Sequence, residues 1–409
     1  MEKKLNILFL FFYLIIGFIP NFGAADRIAF HWIYLNIISI LSLSYFLIYP
    51  SNDILKSVIK NKPLLILIIF SIWTFISLFY SININESIIS IIRFLSISIA
   101  GVFFFKHVEK LENLKSIFIF ILLPIFIIEL FLPLQKLIEI VQLNDFSFNS
   151  SDALETFTPN KNITAAIIAG HTGFIFIMLY YIKKWRVLLL ILPTLSAINI
   201  FFLSARASII GIILSLLFVL ILTIIQKREN LKVILKVILF VIIGFLASNL
   251  YVGNNNDTSL KNRLTTINTE DESTSARLRY YRHGIDHILS NPFIGVGIGN
   301  WKQKSIEYDK DFIKSYIVPY HLHNDFLQFG AETGIIGMII YLLIFLSVLL
   351  INIKRFKVNY FLSSSLIIAI SVLFMDSNLN FPHARPIMMI LLLLIISLTE
   401  INRTRIIEK

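Results

Sequence analysis

Long apolar runs alternate with short polar connections along the whole 409-residue chain. Because a helix needs about 20 apolar residues to cross a bilayer core of roughly 30 Å, each run predicts one membrane-spanning helix. Two connections, 135–162 and 253–322, are too long for a simple helical hairpin. Twelve runs qualify as spans: residues 5–20, 28–49, 63–80, 88–105, 114–134, 163–182, 187–204, 207–225, 232–252, 324–351, 360–378 and 384–399.

This pattern predicts an all-α polytopic membrane protein with about twelve transmembrane helices. The composition supports that fold class, since 57% of the residues are hydrophobic and only 15% are charged, which excludes an ordinary soluble globular domain. We expect three regions. Residues 1–252 would form the first nine helices, residues 253–322 a helical loop that we call the cap, and residues 323–409 the last three helices and a tail.

The basic residues predict which side of the membrane each connection faces. Alternate loops carry twenty Lys and Arg residues, whereas the short loops between them carry five. Cytoplasmic loops are enriched in Lys and Arg, so we expect both termini in the cytoplasm and the cap outside. The net charge of +11 then reports orientation in the membrane. Because these residues are scattered over many loops, they do not indicate nucleic-acid binding.

Arginines near the predicted outer boundary are candidates for anion binding. Arg206 occupies a very short outer turn, and Arg93 lies about one turn below the outer end of the fourth span. Ionisable residues at this depth are costly and usually functional. Because arginine stays protonated and presents a planar fork of donors, two or more that converge would bind a phosphate or a pyrophosphate.

The cap adds further arginines on one predicted helix. Residues 275–290 show an amphipathic pattern, and Asn291-Pro292 ends it. The apolar stripe would consist of Leu278, Tyr281, Ile285 and Ile288. The same helix carries Arg277, Arg279 and Arg282. We expect these arginines to extend the anion site.

His323, at the start of the tenth span, is the candidate base. Its unperturbed pKa of about 6.5 would let it take a proton at neutral pH. His321 is a weaker candidate, and Asn324 can cap the helix. A stripe of small residues would let a neighbouring helix pack closely and hold His323 at a fixed depth; it consists of Gly330, Gly334 and Gly337. The histidines that we expect to be structural are His171, His283, His287 and His383.

Two other motifs are expected to have no catalytic role. The G-x-G-x-G series at 295–299 has no preceding strand, so a close approach of two backbone segments explains it better than a nucleotide. Asp309-Lys310-Asp311 matches the D-x-D of metal-dependent sugar transferases, but a charged loop matches it easily by chance, and we expect a solvated face. The absence of cysteine excludes thiolate catalysis and disulfides.

The start of the tenth span also resembles a known family. His323-Asn324, nine residues, Gly334, two residues and Gly337 resemble the signature of the bacterial O-antigen ligase and O-antigen polymerase superfamily, membrane glycosyltransferases of the GT-C type. The resemblance extends over about residues 155–390. Other segments that carry it are Pro159–Asn162, Ser204–Ser208, Arg277, Asn291–Gly297 and Glu332–Gly334.

The resemblance implies an inverting transfer that needs no metal or cofactor. A glycan would pass from undecaprenyl pyrophosphate to a sugar hydroxyl of lipid A-core, at the periplasmic face of the inner membrane. Arg206 and Arg277 would hold the pyrophosphate, and His323 would accept or orient the proton of the hydroxyl. The residues that we assign to substrate binding are Arg279, Arg282, Arg93, Lys161, His321 and Asn324.

Other functions compete with that of an O-antigen ligase. An O-antigen or exopolysaccharide polymerase would use the same donor, but no arginine here is followed by glycine eleven positions later, the spacing often found in O-antigen polymerases. A protein O-oligosaccharyltransferase usually has a soluble extension after its last helix, whereas this chain ends ten residues after it. A lipid-linked oligosaccharide flippase would tend to show internal repeats and midplane charges. We therefore favour the ligase.

Overall fold

The computed structural model describes residues 2–20, 22–24, 26–50, 53–142, 154, 156, 158, 160–252, 272–312 and 318–408. Every regular element among these residues is a helix, and none is a strand. The predicted all-α fold class is confirmed. Pro159 and the beginning of the cap, 253–271, lie outside the described residues.

The helices follow the apolar runs. Before the cap they are α1 (Glu2–Leu14), α2 (Ala29–Ile48), α3 (Ile54–Lys60), α4 (Lys62–Ile76), α5 (Ile84–Glu109), α6 (Leu123–Gln142), α7 (Lys161–Thr172), α8 (Ile175–Tyr181), α9 (Arg186–Leu189), α10 (Ile191–Phe202), α11 (Arg206–Gln226) and α12 (Leu231–Val252). The cap contains α13 (Glu272–Ser290) and α14 (Trp301–Asp309), and the last long helices are α15 (Asp325–Arg355), α16 (Tyr360–Leu379) and α17 (Pro386–Thr404). A 3-10 turn follows α1 over Ile15–Phe18, and a π-helix over Ser116–Leu122 leads into α6.

Ten helical segments of the described chain are long and apolar enough to cross a membrane. They coincide with ten of the twelve predicted spans. The other two predicted spans are shorter helices, namely α1 with its 3-10 turn and the segment Arg186–Phe202. The chain is therefore a polytopic membrane protein.

α7, α16 and α17 form the centre of the bundle. Most residues of these helices are buried, whereas the helices around them leave much of their surface exposed. The exposed side chains of the outer helices are large and apolar, as at Ile40, Leu47 and Ile225. In a bilayer such side chains face lipid, and the backbone polar groups are satisfied within each helix. The bundle therefore presents an apolar surface to the membrane.

α15 is interrupted at Gly334. This residue has φ +76°, a left-handed conformation that glycine tolerates, and the amide of Ile335 donates to the carbonyl of Pro292 at 2.8 Å. A Cβ atom at Gly334 would lie 2.4 Å from the carbonyl oxygen of Phe293. The loop that follows α13 thus enters the break. The predicted close approach at the glycine stripe is present at its other two positions, since a Cβ atom at Gly330 would lie 2.7 Å from Ile288 and one at Gly337 would lie 3.1 Å from Trp73, whereas the break at Gly334 was not predicted.

The cap helix α13 packs on the first turns of α15. Its buried face runs through Gly284, which contacts Leu322, and through Ile288. Leu278 and Ile285 of the predicted apolar stripe are 48% and 44% exposed. The helix itself is confirmed, but the stripe was wrong at these two positions, because apolar residues occur on both sides of α13.

Candidate functional site

The starts of α5, α15 and α17 and the end of α16 meet beneath the cap, at what we call the cap end of the bundle. The hydroxyl of Tyr281 lies 3.1 Å from the carbonyl oxygen of His323 and 3.0 Å from that of Asn378. Asn324 caps α15 by accepting from the amide of Leu327 at 3.0 Å, and its NH2 group donates to the Asn378 carbonyl at 3.2 Å. These bonds tie the backbone around His323 to the cap helix α13, to the first turn of α15 and to the end of α16.

His323 is held in an unusual backbone conformation with a φ of +54°. Such strain in a residue other than glycine persists only where its surroundings impose it, and it is frequent at functional sites. The ring lies between Tyr280 and Phe381, with centroids 6.4 and 5.1 Å away. Its Nδ1 is buried and has no hydrogen-bond partner among the described residues. A buried polar atom without a partner is rare, which makes this nitrogen a candidate contact for a ligand.

Burial and, to a smaller extent, nearby positive charges keep the ring of His323 neutral. Burial lowers its pKa to about 4, and the positive charges of Arg277 and Arg385 act in the same direction. Arg277 lies half-buried on α13 and makes no hydrogen bond or ion pair with another described residue. The structure therefore brings the Arg277 cation close to the neutral imidazole of His323.

Arg206 is the exposed first residue of α11. This helix runs antiparallel to α16, and its Gly211 packs against Val372 and Met375. Arg206 precedes Gly211 by five residues, so it lies about 7.5 Å nearer to the cap end, at a helix rise of about 1.5 Å per residue. It is therefore level with the end of α16, where Asn378 contacts the cap. Arg206 thus lies at the same end of the bundle as Arg277 and His323.

Arg279 and Arg282 have different surroundings from Arg277. Nε of Arg279 lies 2.6 Å from Oδ1 of Asp309, and its guanidinium is 4.3 Å from the centre of the Phe312 ring. This ion pair ties α13 to α14 and gives Arg279 a role inside the cap. Asp309 is buried, so the expected solvated face was wrong at that residue. Arg282 is exposed.

A cavity of 550 Å³ opens at the cap end beside α5. Arg93 lines it, lies 3.9 Å from Asp26 (Nη2 to Oδ2), and places its guanidinium 5.4 Å from the centre of the Trp32 ring system. On the same wall, Lys302 pairs with Glu86 at 2.5 Å. The lining of the cavity is therefore polar, and its positive side chains are largely balanced by negative ones.

His321 and Phe381 lie between this cavity and His323. The rings of His321 and Phe381 stack with centroids 4.1 Å apart, and Phe381 meets His323 edge-on. Nδ1 of His321 lies 3.1 Å from Oε1 of Gln328. Burial lowers the pKa of His321 to about 3, and the nearby His383 contributes in the same direction. His321 therefore lines the cavity as a neutral ring.

An Asp325–His383 pair belongs to the same wall and was missed as a site. Nδ1 of His383 lies 2.6 Å from Oδ1 of Asp325, and the hydroxyl of Tyr341 donates to Oδ2 at 3.2 Å. Asp325 is fully buried. The sequence held one signal for this pair, since His383 and Arg385 occupy a very short connection between two spans, where ionisable residues are costly.

Lys161 lies at the first position of α7 and does not line the 550 Å³ cavity. The side chain of the preceding Asn160 caps α7 by accepting from the amide of Asn162 at 2.8 Å. Among the residues that the structure describes, no group of three or more His, Asp or Glu side chains is placed to hold a metal ion.

A comparison with known families gives one match. A family model described as O-antigen ligase matches residues 189–342. The match extends from the end of α9 into α15 and includes Arg206, Arg277 and His323. A comparison with curated proteins found no match. The match covers less than half of the chain and shows that this segment is similar to the O-antigen ligase family.

Proposed function

We propose that the protein is an O-antigen ligase, which transfers a glycan from undecaprenyl pyrophosphate to a sugar hydroxyl of lipid A-core. The observation that carries this proposal is the position of Arg277 beside His323, whose buried Nδ1 has no partner among the described residues. A permanent cation suits a pyrophosphate, and a neutral ring nitrogen suits a hydroxyl. Both residues lie within the segment that matches the ligase family.

In this proposal the cap end faces the periplasm, and the protein lies in a bacterial inner membrane with both termini in the cytoplasm. The distribution of Lys and Arg supports this orientation, with twenty in one set of loops and five in the other. The lipid-linked donor presents its pyrophosphate at the membrane surface. The cap would cover the donor there and limit the access of water.

Arg277 and Arg206 would hold the donor pyrophosphate. Two guanidinium groups can contact both phosphates with paired hydrogen bonds and stabilise the charge that builds up as the pyrophosphate leaves. Positioning of the two substrates supplies the rest of the rate enhancement, so the proposal includes no metal and no cofactor. Arg279 would act indirectly, since its bond to Asp309 fixes the helix that carries Arg277.

In the transfer step the hydroxyl oxygen attacks the anomeric carbon while the bond from that carbon to the pyrophosphate oxygen breaks. The electron pair of the broken bond leaves with the pyrophosphate, and the proton of the hydroxyl passes to His323. The charge of Arg277 weakens His323 as a base in the empty site. A bound pyrophosphate would offset that charge and raise the pKa of His323 when it is needed. Attack opposite the leaving group inverts the anomeric centre.

Purified protein in lipid nanodiscs, supplied with the lipid-linked glycan and lipid A-core, tests the function. Glycosylated lipid A-core should form without ATP or an ion gradient, and EDTA should leave the rate unchanged. Lengthening of the donor glycan in the absence of lipid A-core would instead identify a polymerase. Movement of the donor across the bilayer without its consumption would identify a flippase.

A further inference from the structure

The 550 Å³ cavity beside α5 has no role in the donor site described above. Its lining includes His321, Phe381 and His383 but not Arg277 or His323. Phe381 nevertheless touches His323 edge-on, at 5.1 Å between ring centroids. The cavity and the proposed base are therefore adjacent, with one aromatic ring between them. Its volume is within the range of about 300–1,000 Å³ that is usual for ligand sites.

Three acidic and three basic side chains line the cavity, so their formal charges balance; they are Asp26, Glu86, Glu332, Arg93, Lys302 and Arg385. Arg93 lies 3.9 Å from Asp26, and Lys302 lies 2.5 Å from Glu86. A cavity with balanced charges does not attract an anion as the Arg277 side does. It offers many fixed donors and acceptors to a neutral ligand. A sugar has that character, because it carries many hydroxyl groups and no charge.

Aromatic rings complete this lining. Tyr320 is 62% exposed, with the Lys302 ammonium 5.8 Å from its ring centre, and Phe381 forms the wall towards His323. Apolar ring faces can pack on the C–H faces of a sugar while polar groups hold its hydroxyls. The faces of Phe381 are covered by His321, at 4.1 Å, and by the Arg385 guanidinium, at 4.4 Å, so Tyr320 supplies the exposed ring. Balanced charges beside an exposed aromatic ring fit a carbohydrate better than a lipid tail or a phosphate.

The Asp325–His383 pair gives the cavity one oriented acceptor. Nδ1 of His383 lies 2.6 Å from Oδ1 of Asp325, and in a neutral ring that donates from Nδ1 the other nitrogen, Nε2, carries a lone pair. No described residue forms a hydrogen bond with this Nε2. The ring is held edge-on to Phe329, at 4.9 Å, and lies parallel to Phe94. A histidine fixed in this way can accept a hydrogen bond from a hydroxyl in one defined direction.

We propose that this cavity binds the terminal sugar of the acceptor glycan, and that Nε2 of His383, oriented by Asp325, accepts a hydrogen bond from one of its hydroxyls. The acceptor would then present its reacting hydroxyl past Phe381 to His323. This inference rests on the proposed function, because it names the acceptor site of the same transfer reaction. His383 is thus a binding residue for the acceptor, and the proton of the reacting hydroxyl still passes to His323.

Two variants test the cavity. His383→Asn keeps an N–H group near the position of Nδ1 to pair with Asp325 but removes the acceptor at Nε2. Loss of one hydrogen bond should raise KM for lipid A-core about three- to tenfold, with KM for the donor unchanged. Ala384→Trp fills the cavity and should raise the acceptor KM further. His283→Asn, in the cap and outside the cavity, is the matched control and should behave like the wild type.

A binding measurement separates this inference from the proposed function. Core oligosaccharide released from lipid A, without any donor, should bind the wild-type protein in nanodiscs and bind Ala384→Trp much more weakly. If the wild type transfers glycan but both cavity variants keep a normal acceptor KM, the cavity is not the acceptor site and the ligase proposal stands. If the oligosaccharide binds in the cavity but no transfer occurs, the cavity inference stands and the ligase proposal is wrong.

Discussion

At the scale of single residues, the site depends on how its surroundings alter ordinary side chains. His323 was predicted as a base from its ordinary pKa of about 6.5. In the folded protein, burial and the charges of Arg277 and Arg385 lower that pKa to about 4. The sequence could indicate the residue, but it could not show which charges surround it. We therefore expect the empty site to hold a weak base that strengthens when the donor binds.

The lowered pKa values of His323 and His321 predict a pH dependence of stability. Both lie well below the usual value of about 6.5, at about 4 and about 3. As the pH falls through about 6.5 towards 4, the unfolded chain takes up protons that the folded protein does not, so the stability contributed by the neutral rings is lost. The wild type should therefore lose more thermal stability between about pH 7 and pH 4.5 than the His321→Asn, His323→Asn double variant. Equal losses in both proteins would contradict these shifts.

His323 also allows a prediction about activity. His323→Asn keeps hydrogen bonding but removes useful basicity, so transfer should fall by about two orders of magnitude or more. Donor binding should survive, because the phosphate contacts are assigned to Arg206 and Arg277. The measurement is the transfer rate at saturating donor, together with donor affinity. An equal loss of affinity and rate would make His323 a phosphate ligand, and full turnover would leave it only a structural role.

At the scale of elements, the sequence predicted the helices well and their details less well. Apolar runs coincide with the spans, because length and hydropathy alone decide which segments can cross a bilayer. The break at Gly334 could not be read from the sequence, since glycines four residues apart also occur in unbroken helices. The buried face of α13 was misassigned for a similar reason, as Leu278 and Ile285 are apolar but exposed.

The break at Gly334 gives a prediction about folding. An alanine there would need φ +76° and would place its Cβ atom 2.4 Å from the carbonyl oxygen of Phe293. Gly334→Ala should therefore destabilise the protein by about 1–3 kcal/mol or more and loosen the cap from α15. Gly211→Ala is the matched control, because its Cβ atom would meet Met375 at an ordinary 3.4 Å. Thermal unfolding of both variants in the same nanodiscs measures the difference, and equal stability would contradict the account of α15.

At the scale of the whole molecule, the proposed site forms where distant parts of the sequence meet. Arg206, Arg277 and His323 come from α11, α13 and the start of α15, and the family match covers all three. A local pattern could identify these residues one by one. The pair of Asp325 and His383 could not be predicted in this way, because 58 residues separate its members and only the packing of α15 against α17 brings them together.

The orientation of the whole bundle is open to a direct test. A reporter that is active only in the periplasm should be active when fused near residue 310, in the cap. Fusions near residues 185, 228 and 356 should be inactive, since basic residues surround each position. Activity at any one of these three positions would remove the assignment of Arg206 and His323 to the periplasmic side.

The central claim is that Arg277 binds the pyrophosphate of a lipid-linked donor whose glycan this protein transfers. The most direct measurement is donor affinity and transfer rate for Arg277→Lys beside the wild type, both in nanodiscs with lipid A-core. Lysine keeps the charge but not the paired donors, so affinity for the donor should fall about tenfold to a hundredfold, and transfer should fall at least as much. Arg228→Lys, exposed at the far end of the bundle, should match the wild type. Unchanged donor affinity and transfer in Arg277→Lys would contradict the account.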